Sequence, residues 1–407
     1  SRLYVQRFSP KYTHIFFLHN FHTKQVMGVV KFFGGSFVDG VKNQAGLLSG
    51  CLFVAGSSSL LLYFVLESKN VLTNEFVYVT LVASLWSLNG VGQSLAWPSL
   101  AQIFLNWFPN PTERGSWYSM LSTNQNVGST LSPRIYPFLI ATLGWPVALY
   151  APSLVTIVYA TLMLVSLSTG PENQISPTEE KKKKKDDESP GFVKSVTYLF
   201  RQRYFLALCA GYAPISVIRI SLATWTPVVF ESYGMTLDSA AQCIVALEIG
   251  ALLGSLCAGF VSDIVFRGRR GPVMVLFSAL CTPVGIAIGY VLEGSLTSLP
   301  YLTSSSQILF VLFLAIGFFS FPPHMLTGLV ARELSPTNMR SAAGCVAKGA
   351  AQIGAVFAGW PLQRLSSEYG WKCMSYSISL CGILAMIGYM PLLLGIRPAS
   401  SSDKKTK

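Results

Sequence analysis

Arg219 is the one charged residue in the apolar stretch from Tyr204 to Phe230. Lys348 is isolated in the same way between Ser341 and Leu362, and Glu248 is the only charge between Asp238 and Asp263. About 20 apolar residues cross the hydrocarbon of a bilayer, so these groups sit well inside candidate spans. An ionised side chain there is expensive, and such residues mark ion or substrate pathways. A guanidinium offers a planar fork of donors and stays charged, which suits an anion with several oxygens. The alternatives are that Arg219 snorkels to an interface or pairs with a carboxylate on a neighbouring helix. Its mid-span position argues against snorkelling. For Lys348 two readings stay open, contact with an anion or a structural pair with Glu248.

His324 follows Pro322-Pro323 in a further apolar stretch. A substrate-contacting or pH-responsive role competes there with a hydrogen bond between helices, the commoner use of such a histidine. The same prolines, with Pro214 and Pro227, suit kinked helices whose freed carbonyls line a cavity.

The elements that must position these groups are transmembrane helices. Of 407 residues, 51% are hydrophobic and 12% charged, with a mean hydropathy of +0.48. A soluble domain carries about 25% charge. The apolar runs are about 20 residues long and do not alternate, which excludes a barrel of short strands. The fold class is therefore an all-α membrane protein. The net charge of +12 does not mark a nucleic-acid binder, because Lys and Arg gather in short loops and at the chain ends. All eight cysteines lie in or beside apolar runs without metal-ligand spacing, so no metal or cofactor is expected. No zinc-protease, phosphate-loop or nucleophile-elbow motif points to an enzyme.

Eleven candidate spans cover about 25–38, 44–66, 74–105, 116–143, 146–168, 204–230, 239–265, 272–292, 307–331, 341–362 and 373–395. The long hydrophilic stretch from Thr169 to Lys194 holds five lysines, Lys181–Lys185, followed by Asp186, Asp187 and Glu188. It reads as a cytosolic linker between two halves, with contact to anionic lipid as the alternative. The expected organisation is a basic segment 1–24, a first bundle 25–168, a linker 169–203, a second bundle 204–395 and a cytosolic tail 396–407. Basic loops alternate with acidic or neutral ones from Asp39 onward, as the positive-inside bias requires. Residues 1–24 break that alternation, and the first span is short. A missing first helix would explain both.

An internal repeat supports two halves. Gly35-Ser-Phe-Val-Asp39 recurs as Gly259-Phe-Val-Ser-Asp263, each closing a span before a basic turn. The glycine permits close helix approach, and the aspartate can hold the turn cations or a neighbouring helix N-terminus. Two parallel six-helix halves would follow, with a site between them near the midplane.

Gly259-x-x-x-Asp263 followed by Arg267-Gly268-Arg269-Arg270-Gly271 is similar to the signature loop of the major facilitator superfamily. The series Gln93-Ser-Leu-Ala-Trp97-Pro98, Trp107, Glu113-Arg114-Gly115 and Asn126-Val127-Gly128 resembles the organophosphate:phosphate antiporters. So do Arg219-x5-Trp225-x-Pro227, Lys31-Phe32-x-x-Gly35-x-x-x-Asp39, and the run from Ala246-Leu247-Glu248 to Asp263. The resemblance implies a major facilitator fold of two pseudo-symmetric bundles that exchanges a sugar phosphate, glucose 6-phosphate above others, for inorganic phosphate. It implies an endoplasmic-reticulum membrane location and functional coupling to a lumenal phosphatase. Two arginines clamp phosphate in that group. Arg219 matches the second, while the first has no counterpart here. Lys31 matches a lysine near the anion, and Gln125, before Asn126, stands where bacterial members have a binding-site histidine. An amide there donates to phosphate but carries no proton. Lys404-Lys405 resemble a dilysine retrieval signal, or simply a basic tail. A non-transporting hexose-phosphate sensor on the same scaffold and a truncated, inactive carrier are the competing readings.

Overall fold

A computed structural model of the chain describes residues 30–68, 74–171, 190–294 and 305–395. The expectations for the basic segment 1–24, the lysine run Lys181–Lys185 and the tail with Lys404 and Lys405 fall outside these residues.

The described residues form helices joined by turns, with no β-strand among them. In chain order they are α1 (30–40), α2 (Gln44–Glu67), α3 (Glu75–Trp107), α4 (Pro111–Leu143), α5 (Val147–Ser166), α6 (Phe192–Arg201), α7 (Arg203–Ser232) and α8 (Leu237–Phe260). Then follow α9 (Gly271–Leu292), α10 (Ser305–Glu333), α11 (Arg340–Ala358), α12 (Trp360–Tyr369), α13 (Lys372–Tyr389) and α14 (Pro391–Gly395). Short polar residues start the apolar runs. Asn43 caps α2 by accepting from the Gly46 amide, and Thr236 caps α8 by accepting from that of Ser239.

Each of the eleven expected spans falls on a helix, the first through α1 alone. Among the described residues, eight segments are long and apolar enough to cross a membrane, and the chain is a multi-pass membrane protein. Helices α3 and α4, at 33 residues each, have ample length but are not among the eight. Their polar residues explain this. In α3, Asn89 donates to the Ala55 carbonyl and to Ser59 Oγ, both at 2.8 Å, and Gln93 donates to Asn89 Oδ1 at 2.6 Å. Helix α4 carries Asn124, Gln125 and Asn126 in succession. Such groups fit a span only where they face protein or a polar cavity.

Contacts divide the chain into two compact units, 1–107 with 134–192, and 108–133 with 193–407. Helix α4 therefore begins in the second unit and ends in the first. In the first unit, α2 packs against α3 and α5. In the second, α8 packs against α10, α7 against α11 and α13, and α9 against α10 and α13. The α8–α10 seam is the tightest point. A Cβ at Gly250 would overlap the Leu314 carbonyl, and one at Gly317 the carbonyl of Leu247. The two backbones touch there, which fixes α8 against α10.

Candidate functional site

Arg219 lies between the two prolines of α7, Pro214 and Pro227. Its Nη2 is 3.5 Å from Glu248 Oε1 on α8, and each side chain is 12% exposed. Its Cζ sits 4.5 Å from the centre of the Phe321 ring on α10. Arg219 thus has the carboxylate partner that the structural alternative required. The pairing is incomplete, because Arg219 Nη1 and Glu248 Oε2 are buried without hydrogen-bond partners among the described residues. A guanidinium brings five N–H donors, and one monodentate contact leaves most of them unused.

Lys348 enters from α11. Its Nζ donates to Tyr212 Oη of α7 at 3.2 Å, approaches His324 Nε2 of α10 at 3.5 Å and lies 5.6 Å from the Tyr212 ring centre. With Lys348 as an ammonium, which has only donors, the contact requires Nε2 as acceptor and the ring proton on Nδ1. The His324 ring meets Tyr212 edge-on at 5.1 Å and stacks on Phe321 at 6.0 Å. The Lys348–Glu248 pair left open by the sequence is not formed. Helices α8 and α11 both pack on α7 and α10 rather than on one another, so Glu248 meets Arg219 and Lys348 meets neutral acceptors.

Four helices therefore contribute to one cluster. Phe321 touches both Arg219 and His324, and His324 touches Lys348, so the two cations belong to one continuous set of side chains. With Glu248 as the carboxylate, the set carries an excess of positive charge. Such a charge excess attracts anions.

The remaining expected residues are placed differently. Gln125 is exposed on α4, whereas Asn126 is fully buried, and neither of its amide atoms has a hydrogen-bond partner among the described residues. Consecutive helical residues point about 100° apart, so adjacent positions cannot share a face. Neither makes a hydrogen bond to the Arg219 cluster among the described residues. Lys31 is half-buried on α1 in the first unit. Trp97 is exposed and Pro98 buried within α3.

The signature residues build a second polar centre in the second unit. Asp263 accepts from the amides of Gly115 at 3.2 Å and Ser116 at 2.6 Å, and from Ser116 Oγ at 2.8 Å. It also takes Arg270 Nη1. It therefore holds both a turn cation and the N-terminus of α4. Arg270 Nη2 donates to the Pro111 carbonyl at 2.7 Å and lies 3.5 Å from Glu333, which meets Arg114 at 3.2 Å. Gly259 packs directly on Ser119, leaving no room for a Cβ. Arg267 and Gly268 take φ of 50° and 83° to make the turn, and Arg267 and Arg269 point outward. Glu333 is the member that sequence reasoning missed, because its loop reads as an ordinary basic connection. Its only signal was an acid standing beside Arg332.

Comparison with known proteins matches residues 25–359 to the family described as Major Facilitator Superfamily. A probable hexose phosphate transport protein of Chlamydia trachomatis is 28% identical over 384 residues, covering 89% of this chain and 79% of the relative. The membrane sensor protein UhpC of Escherichia coli is 28% identical over 321 residues, covering 76% and 71%. Among solved structures, the E. coli fucose:proton symporter FucP aligns with a TM-score of 0.66 at 11% identity, covering 94% of this chain and 92% of FucP. The fold, the signature turn and the matched length agree, and the chain belongs to the Major Facilitator Superfamily.

Proposed function

We propose that the protein is a secondary antiporter that exchanges a sugar phosphate, glucose 6-phosphate in the first instance, for inorganic phosphate by alternating access. The observation that carries the reading is Arg219, buried mid-span with an unpartnered Nη1 beside a single carboxylate. A phosphate monoester near neutral pH carries about −1.5 to −2 charge and needs fixed cations and donors once its water is removed. Arg219 is the anchor and Lys348 the second cation of the same cluster, with buried Asn126 of the same unit as a further contact. The sugar-phosphate names of the relatives support the substrate class. Exchange follows from electrostatics, since an unloaded cluster keeps uncompensated positive charge in a low dielectric while a bound anion offsets it. Loaded reorientation is then easier than empty reorientation. The resemblance to the organophosphate:phosphate antiporters extends the proposal to the endoplasmic-reticulum membrane, with a lumenal phosphatase that consumes the imported ester.

The test is counterflow in proteoliposomes. Uptake of labelled glucose 6-phosphate should require internal phosphate and should be lost in Arg219→Gln. Equal uptake into phosphate-free vesicles would sink the exchange mechanism. A second reading, a sugar-phosphate receptor that does not transport, is favoured by the similarity to the E. coli sensor. It predicts phosphate-ester binding by the purified protein with no counterflow.

A further inference from the structure

Helix α6 is too short to cross a membrane, for which about 20 residues are needed, and its residues sort into three faces rather than two. Ser195 and Leu199, one turn apart, are buried. Val193, Val196 and Phe200 follow a second line with the spacing i, i+3, i+7, and Val193 and Phe200 are 73% and 46% exposed. Lys194, Thr197 and Arg201 follow a third line with the same spacing, and all three are exposed. The helix ends at Gln202, whose extended backbone (φ −87°, ψ 117°) breaks it from α7. Exposed Arg203 then opens α7. Lys194, Arg201 and Arg203 form no ion pair among the described residues.

A solvated helix has no use for an exposed apolar line, and a second helix packed on α6 would bury both outer lines. A bilayer surface satisfies both at once, with Val193 and Phe200 at the acyl boundary and the cations at headgroup level. We propose that α6, with Arg203, is a docking surface for anionic phospholipid headgroups. The charge complementarity selects the occupant. Phosphatidylcholine offers its phosphate with a neutralising choline, whereas phosphatidylglycerol keeps a net negative charge that three unpaired cations can use.

The test uses the full-length chain in nanodiscs of mixed phosphatidylcholine and phosphatidylglycerol, with spin-labelled versions of each lipid reporting the motionally restricted fraction. The wild type should retain phosphatidylglycerol preferentially, and the preference should fall with added salt. Lys194→Gln/Arg201→Gln/Arg203→Gln should weaken it by about fivefold per cation and leave phosphatidylcholine unchanged. Arg201→Lys/Arg203→Lys should keep it, which separates loss of charge from loss of folding. No preference in the wild type, or an unchanged one in the triple glutamine variant, overturns the proposal. So does loss of preference in the lysine variant, or loss on replacing Lys181–Lys185 by glutamine with the α6 cations intact.

Discussion

Glu248 Oε1 stands 3.5 Å from Arg219 Nη2, while the second oxygen of the one and the second terminal nitrogen of the other have no hydrogen-bond partner among the described residues. A buried pair with such loose geometry recovers little of its desolvation cost. A phosphate oxygen arriving at Nη1 would gain a charge-assisted bond that the carboxylate does not supply. On the proposed function, Glu248 therefore competes with the anion. In Glu248→Gln, unliganded protein should be less stable, because Arg219 loses its counter-charge, by about 3 kcal/mol. Added inorganic phosphate should then raise Tm by more than it does in the wild type. A smaller phosphate-induced rise in the variant would show that the carboxylate assists binding rather than opposing it.

Arginine at position 219 does more than place a positive charge. Its fork can hold two oxygens of one phosphate, whereas a lysine presents a single point. Arg219→Lys should keep the ion pair with Glu248 and so keep the unliganded Tm close to that of the wild type. Exchange should still drop by about tenfold to a hundredfold, the weight of one charged hydrogen bond, with the change in KM for phosphate. Full activity in the lysine variant would mean that charge alone is read there.

Arg219, Lys348 and Glu248 were visible in the sequence because each is alone in an apolar run, and isolation needs no knowledge of packing. Their pairing was not visible. Which helix faces which depends on contacts such as Gly250 against Leu314, and a lone glycine in an apolar run does not announce its neighbour. The same limit applies to Gln125 and Asn126, one exposed and one fully buried, since their faces follow from the rotation of α4. The pairing of Asp263 with Arg270 was legible because both stand in one turn, but Glu333 reaches Arg114 and Arg270 from far along the chain. In α3 a polar residue that lowers the hydropathy, Asn89, is one that binds across helices, to Ser59.

Lys348 leans on Tyr212 Oη and His324 Nε2, both neutral acceptors. In the proposed site, His324 is a positioning residue whose Nε2, as acceptor, keeps the ammonium beside the Arg219 cluster. His324→Gln retains an acceptor and should leave the KM for phosphate within about twofold, whereas His324→Leu removes it and should raise KM by about fivefold to tenfold, one hydrogen bond's worth. The maximal rate should change less than KM in both. Exchanging the charges of Lys348 and Glu248 should not restore function, since those two residues do not meet. Recovery in that double variant would contradict the arrangement of α8 and α11.

Asp263 differs from the outward arginines of its own turn in what its removal would leave behind. It accepts two backbone amides and a hydroxyl at the start of α4 and faces the buried Arg270. Asp263→Asn takes away the charge that offsets both Arg270 and the N-terminal dipole of α4. Unfolding free energy should fall by about 3 kcal/mol, read as a lower Tm in detergent. Arg267→Gln and Arg269→Gln, both exposed, should stay within about 0.5 kcal/mol of the wild type. Glu333→Gln should fall between the two, because Arg270 keeps Asp263 while Arg114 still donates to the Phe108 and Pro109 carbonyls. If the exposed arginines proved as costly as Asp263, the turn would be held by its overall charge. The ordering Asp263, then Glu333, then the outward pair is what the directed contacts require.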